Sequence, residues 1–236
     1  MILMDYTGDV ITDGPSVQRD LPRLTIRKAS VGAMANNVYL LTCAGTGAQL
    51  LIDAADNAPR IMSLLREGSG GLDMIVTTHQ HWDHHRALAQ VVASTGAMTA
   101  AGEADADALP ILPTRRLAHG DAITFGDITL EVIHLRGHTP GSIALVYDDG
   151  VAHTHIWTGD SLFPGGVGNV ERDTVRFASL MGDVQTRVFD IYQDDTWIYP
   201  GHGADTTLGA ERPHLQEWRA RLVSRLEPTS KRALCP

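Results

Sequence analysis

The run Thr78-His79-Gln80-His81-Trp82-Asp83-His84 constrains this chain more than any other feature. From His79 to His84 it packs three imidazoles and one carboxylate into six residues. Imidazole is the commonest protein metal ligand, and carboxylate adds charge and hardness. Extended backbone repeats its side-chain direction every second residue, so His79 and His81 can point the same way. Asp83 and His84 lie slightly further along and can turn toward a second position. One short loop could therefore present ligands to two neighbouring metal ions. The fold must then bring more donors to that loop. A zinc site takes three or four protein ligands, and a catalytic one keeps a place open for water.

Three later positions can supply them. His138 sits in Arg136-Gly137-His138-Thr139-Pro140-Gly141-Ser142, Asp160 in Trp157-Thr158-Gly159-Asp160-Ser161-Leu162-Phe163, and His202 in Tyr199-Pro200-Gly201-His202-Gly203. Each follows an apolar, strand-like run and lies among Gly, Thr and Pro. That composition marks the point where a strand ends and a loop begins, the usual place for functional groups on a rigid scaffold.

HxHxDH, GHTPGS, TGDSLF and YPGHG, in that order, resemble the metallo-β-lactamase superfamily from about Asn36 to about Trp218. The resemblance implies an α/β (α+β) fold, an αββα sandwich of two mixed β-sheets flanked by helices, with a metal site on one edge. Carried over residue by residue, it implies that His79, His81 and His138 hold a first metal and that Asp83, His84 and His202 hold a second. Asp160 would bridge the two, and Asp83 and Asp160 would be the catalytic carboxylates. Asp53, closing the strand-like Gln49–Ile52, would orient ligating imidazoles from behind.

Within the superfamily, His81 stands where the flavodiiron branch has Glu. Asp160 stands where the commonest true β-lactamases have Cys. No long insertion of the β-CASP kind follows the core. The pattern is most similar to glyoxalase II and its relatives: THQHWDH resembles their THHHWDH, and TGDSLFPGGVG their TGDTLFVGGCG. Two departures concern glutathione. Asn169-Val170-Glu171 replaces a basic-aromatic stretch, and about one helix follows His202 where full-length glyoxalase II has a helical domain. The end of the chain is similar to the short, single-domain glyoxalase II-like hydrolases.

The resemblance thus implies a hydrolase acting on a small-molecule acyl substrate through a hydroxide bridging two divalent ions. Zinc is the expected metal, with iron or manganese as alternatives. A thioester is the expected substrate, as for a hydroxyacylglutathione hydrolase. The alternatives are a lactonase or β-lactamase-like hydrolase, and an iron-dependent persulfide dioxygenase.

The 236 residues are 43% hydrophobic, enough for one large core. No linker, repeat or low-complexity run divides them, so residues 1–236 read as one domain. Its expected ends are an irregular lead-in over 1–23 and a C-terminal helix and tail over 206–236. A net charge of −9 argues against nucleic acid, which calls for a basic footprint. No apolar run is long enough to span a bilayer, and the N-terminus carries no signal-peptide pattern. A cytoplasmic protein is the default expectation. Cys43 and Cys235 suggest no disulfide framework, and Cys43 reads as a small buried hydrophobe. Oligomeric state leaves no mark.

Patterning predicts strands at Leu24–Ala29, Val38–Thr42, Gln49–Ile52, Met74–Thr77, Ala122–Phe125, Ile128–Ile133, Ile143–Tyr147, Val151–Trp157 and Trp197–Tyr199. It predicts helices from an Asn57 cap through Glu67, over Arg86–Thr95 and over Val175–Ile191. Among the other histidines, His85 and His134 read as surface or supporting residues. His153 and His155 mimic a ligand pair but have no third partner. His119 and His214 read as surface or packing residues.

Overall fold

The computed structural model describes residues 6–151 and 153–226. Cys235 and the expected C-terminal tail beyond 226 lie outside the described residues. The chain first lays down a seven-stranded sheet: β1 Val17–Asp20, β2 Leu24–Val31, β3 Asn36–Cys43, β4 Gln49–Ile52, β5 Met74–Thr77, β6 Met98–Gly102 and β7 Arg115–Leu117, neighbours in that order. Pairing is antiparallel through β4 and parallel from β4 to β7. The parallel connections carry helices α1 (Ala58–Glu67) and α2 (Leu88–Thr95). The Asn57 side chain caps α1 by accepting from the Arg60 amide.

A second sheet follows, ordered β15-β14-β11-β10-β9-β8. Its strands are β8 Ala122–Phe125, β9 Ile128–His134, β10 Ile143–Asp148, β11 Thr154–Gly159, β14 Trp197–Pro200 and β15 Thr206–Thr207. Between β11 and β14 lie the short hairpin β12 Leu162–Phe163 with β13 Gly166–Val167, and helix α3 Thr174–Val184. Helices α4 (Leu208–Glu211) and α5 (Leu215–Leu226) complete the described chain.

Period-two alternation decides the layering. Leu24, Ile26, Tyr39, Leu41, Leu50, Ile52 and Val76 face inward from the first sheet. They meet Leu130, Val132, Ile143, Leu145, Trp157 and Tyr199 of the second. The alternate residues of the first sheet, such as Leu40, Leu51 and Ile75, pack on Ile61, Leu64 and Leu65 of α1 and Leu88 and Val91 of α2. Ala144, Val146, Ile156 and Ile198 of the second sheet pack on Phe177, Leu180 and Val184 of α3 and on Trp218 of α5. The result is the αββα sandwich that the resemblance implies.

Several expectations need correction. Residues 1–23 are not wholly irregular, because β1 pairs along β2 from Val17 to Asp20. The helix expected over Arg86–Thr95 begins at Leu88. The one expected over Val175–Ile191 gives way after Val184 to a wider π turn over Gln185–Phe189, closed by the Asp190 amide on the Gln185 carbonyl. Strands β6, β7, β12, β13 and β15 are additions to the sequence reading.

The topology fixes where the motifs meet. β4 and β5 are parallel, so Asp53 and the histidine run leave the first sheet at the same edge. β11 and β14 are parallel, so Asp160 and His202 leave the second sheet together. His138 lies in the turn between β9 and β10. Two backbone hydrogen bonds join the sheets at this edge: Ile143 N–H to the Thr78 carbonyl at 2.9 Å, and Asn37 N–H to the Gly201 carbonyl at 2.7 Å.

Candidate metal centre

The histidine run is built from two local conformations. His81 is extended (φ −66°, ψ 134°), and Trp82–His84 then forms a single 3-10 turn. The extended part aims His79 and His81 at one point, and the turn redirects Asp83 and His84 to another. His79 Nε2 lies 3.1 Å from His81 Nδ1 and 3.3 Å from His138 Nε2. His84 Nε2 lies 3.2 Å from His202 Nε2 and 3.6 Å from Asp83 Oδ2, and His202 Nε2 lies 3.4 Å from Asp83 Oδ2.

Asp160 stands between the two groups. Its Oδ1 is 3.4 Å from His84 Nε2, while its Oδ2 is 3.7 Å from His138 Nε2 and 3.6 Å from His202 Nε2. Three sets of donors, His79/His81/His138, His79/His84/Asp160 and Asp83/His84/His202, each have their atoms within 4.8 Å of one another. All seven residues singled out in the sequence therefore meet at one place.

Four of the five imidazoles, those of His79, His84, His138 and His202, have the nitrogen that faces away from this place engaged. His138 Nδ1 donates to the Asn169 carbonyl at 2.7 Å and His202 Nδ1 to the Met34 carbonyl at 3.1 Å. A carbonyl only accepts, so both rings carry their proton on Nδ1 and turn an Nε2 lone pair inward. His84 Nδ1 donates to Asp53 Oδ2 at 2.8 Å. The Thr78 hydroxyl also donates to Asp53 Oδ2, at 2.8 Å, and so is left to accept from His79 Nδ1 at 3.0 Å. Asp53 Oδ1 takes the Thr78 amide at 2.7 Å.

The electrostatics fit bound cations. Burial, followed by the neighbouring imidazoles, holds His79 well below its ordinary pKa, and burial lowers His81 and His138 as well. Neutral imidazole is the form that ligates metal. Burial also pulls His84 down, but the Asp53 and Asp160 carboxylates outweigh it and lift its pKa to about 10. That position strongly favours positive charge. Burial raises Asp160 and Asp83; in Asp160 the surrounding imidazoles, and in Asp83 the Asn36 amide and His84, more than reverse this, so both stay ionised. Asp160 Oδ1 is buried without a hydrogen-bond partner. Inward lone pairs at about 3 Å, ionised carboxylates and an orphaned buried oxygen together suit divalent metal ions.

Space is tight around these donors. A Cβ on Gly201 would fall 2.2 Å from Asp160 Oδ1 and 2.7 Å from His84 Cε1. Trp82, 55% exposed, stands on the solvent side of the run. Of the other histidines, His85 bonds back to the Gln80 carbonyl at 3.0 Å and His134 to the Pro140 carbonyl at 2.7 Å. His155 is buried against Tyr199, remote from the cluster in the hydrogen-bond network.

Sequence reasoning missed Asn36. Its amide donates to Asp83 Oδ2 at 2.9 Å and lies 3.3 Å from His202 Nε2. A signal existed, since Asn is a poor strand former and the pair Asn36-Asn37 opens a buried strand.

A family model for the metallo-beta-lactamase superfamily matches residues 31–202. Over 167 residues the chain is 37% identical to hydroxyacylglutathione hydrolase from Cereibacter sphaeroides, a match covering 71% of this chain and 62% of that protein. It is 29% identical over 181 residues to hydroxyacylglutathione hydrolase GloC from Haemophilus influenzae, covering 69% of this chain and 83% of that one. The chain thus spans about 62% of the length of the first of these relatives. Among solved structures, that of TTHA1623 in a di-iron-bound form aligns with a TM-score of 0.63 at 30% identity, covering 78% of this chain and 95% of that one. With the fold, the edge-mounted donor cluster and these matches in agreement, the chain belongs to the metallo-beta-lactamase superfamily.

Proposed function

We propose that the chain is a metal-dependent hydrolase of small acyl compounds, with a thioester of the hydroxyacylglutathione type as the leading substrate. The observation that carries this reading is the convergence of seven side chains into two donor groups with Asp160 between them. In this reading His79, His81 and His138 would hold one divalent ion, Asp83, His84 and His202 would hold another, and Asp160, placed between the two groups, would serve both. Zinc is the proposed metal. Iron and manganese suit the same His and carboxylate donors, and a relative at 30% identity is described in a di-iron-bound form.

Divalent ions bound by these residues would supply Lewis acidity and lower the pKa of water to about 7. The protein's own contribution is placement. Asp53, Thr78 and the carbonyls of Asn169 and Met34 fix the ring orientations, and the Asn36 amide holds Asp83 as an ionised carboxylate facing His202. His79 and His84 are fully covered from behind while His202 is partly exposed, so substrate approaches from the His202 and Trp82 side. A thiol leaving group has a pKa of about 8.5 and departs as thiolate without a strong general acid. An alkoxide or amide nitrogen requires more help, which favours thioesters over lactones and β-lactams.

The test is hydrolysis of S-lactoylglutathione by zinc-reconstituted protein beside an Asp83→Ala variant. Turnover lost in the variant supports the reading. Absence of turnover with this substrate and with a panel of other thioesters, lactones and β-lactams refutes it. Oxygen uptake with a persulfide by iron-loaded protein would replace it with the dioxygenase alternative.

A further inference from the structure

Asp105 lies outside every motif discussed so far. It follows β6 and precedes a short 3-10 turn at Ala106–Ala108. Its side chain is completely buried. Buried carboxylates are retained only where their oxygens are well satisfied. Here Oδ2 accepts the Gln80 amide at 2.9 Å and the Thr139 hydroxyl at 2.5 Å, and Oδ1 accepts the Gly141 amide at 2.6 Å. The Thr139 hydroxyl gives its single proton to Asp105, so the Ser142 hydroxyl at 2.5 Å donates to it.

These partners are not scattered. Gln80 is the residue between His79 and His81. Thr139 directly follows His138, and Gly141 lies in the same turn after Pro140. One carboxylate from the turn that follows β6 therefore ties together the two loops that carry the three-histidine group, and those loops belong to different sheets. The packing leaves no slack: a Cβ on Gly141 would fall 2.3 Å from the Asp105 nitrogen, and one on Gly102 would fall 1.9 Å from the Gly141 carbonyl oxygen. Asp53 makes the corresponding ties to His84 and Thr78 on the other side of the centre.

We propose that Asp105 is the positioning residue of the three-histidine metal position, setting the distance between the His79/His81 loop and the His138 loop. This rests on the reading of His79, His81 and His138 as metal ligands. Asp105 touches neither metal nor substrate; it acts through the backbone of Gln80 and the His138 turn. The Asp105→Asn variant keeps the shape but places an NH2 group against N–H and O–H donors, so at least one tie is lost. Loss of groups that orient ligands weakens metal binding by about 10–100-fold.

The experiment is equilibrium dialysis of zinc-loaded parent, Asp105→Asn and His138→Ala proteins against a graded chelator, read as metal per chain, with unfolding midpoints measured in parallel. The expected result is that Asp105→Asn keeps one equivalent at parental affinity while the other weakens about 10–100-fold, matching the equivalent that His138→Ala loses. Both equivalents held at parental affinity by Asp105→Asn, even with a lower midpoint, would overturn the proposal. Two equivalents retained by His138→Ala would instead overturn the underlying ligand reading. Should Asp105→Asn fail to fold, Thr139→Val and Thr139→Ser decide. Weakening of one equivalent in Thr139→Val with recovery in Thr139→Ser supports the proposal, and parental affinity in both overturns it.

Discussion

Asp53 holds His84 Nδ1 at 2.8 Å from a backbone in the left-handed region, with φ at 58°. A non-glycine residue there costs free energy unless its surroundings enforce it, and Asp and Asn tolerate it best. Asp53→Asn therefore preserves the backbone while removing the charge and presenting an amide NH2 to His84 and Thr78. We expect metal affinity to fall by at least about 10-fold with little change in fold. Competition titration with a chromophoric chelator, with circular dichroism as control, checks this.

Gly201→Ala tests the space around the centre. The Gly201 backbone is not in the left-handed region, so the substitution adds only volume, directed at Asp160 Oδ1. Overpacking of this kind costs about 1–3 kcal/mol. The larger effect should be on metal content, because relief requires Asp160 or His84 to move. We expect the purified variant to retain less than one metal per chain, read by elemental analysis.

Lys28 and Asp205 form a fully buried ion pair at 2.7 Å, and Lys28 also donates to the Gly203 carbonyl beside His202. Lys28→Met should destabilise by about 3–5 kcal/mol, because it leaves Asp205 charged and buried without its cation. Lys28→Met combined with Asp205→Leu should recover much of this. Urea unfolding of the single and double variants measures both.

Stability should also depend on pH through His155. Burial, followed by the Arg19 charge, lowers its pKa from 6.5 to about 4. The unfolded chain therefore takes up a proton in a window where the folded one does not. This contribution is fully present above about 6.5, declines as pH falls, and is exhausted near pH 4. It amounts to on the order of 3 kcal/mol. His155→Gln should flatten the pH dependence of unfolding between those limits relative to the parent.

Much of this architecture was legible because it is local. Met74–Thr77 and Gln49–Ile52 were bounded correctly by apolar runs ending in polar turns, and Asn57 announced its helix. The ligand motifs were legible because their spacing is itself chemical. Strands such as Arg115–Leu117 and Met98–Gly102 were not. The first is three residues long with two exposed arginines, and the second is mostly small residues whose strand character comes from its neighbours. Asn36, Asp105 and Asp205 escaped for a different reason. Each acts on residues distant in sequence: Asn36 on Asp83 and His202, Asp105 on Gln80 and Thr139, Asp205 on Lys28. No local pattern encodes such a pairing.

The two backbone hydrogen bonds that join the sheets, Ile143 to Thr78 and Asn37 to Gly201, put the donor cluster astride the seam between the two halves of the chain. Neither half carries a complete donor set: the three-histidine group waits for His138, and the other for His202. Bound metal would then act as a clasp that closes only after both sheets have docked. Its stabilisation should appear as slower unfolding with little change in the rate of folding. The slowest route for metal to leave would be the parting of the two sheets.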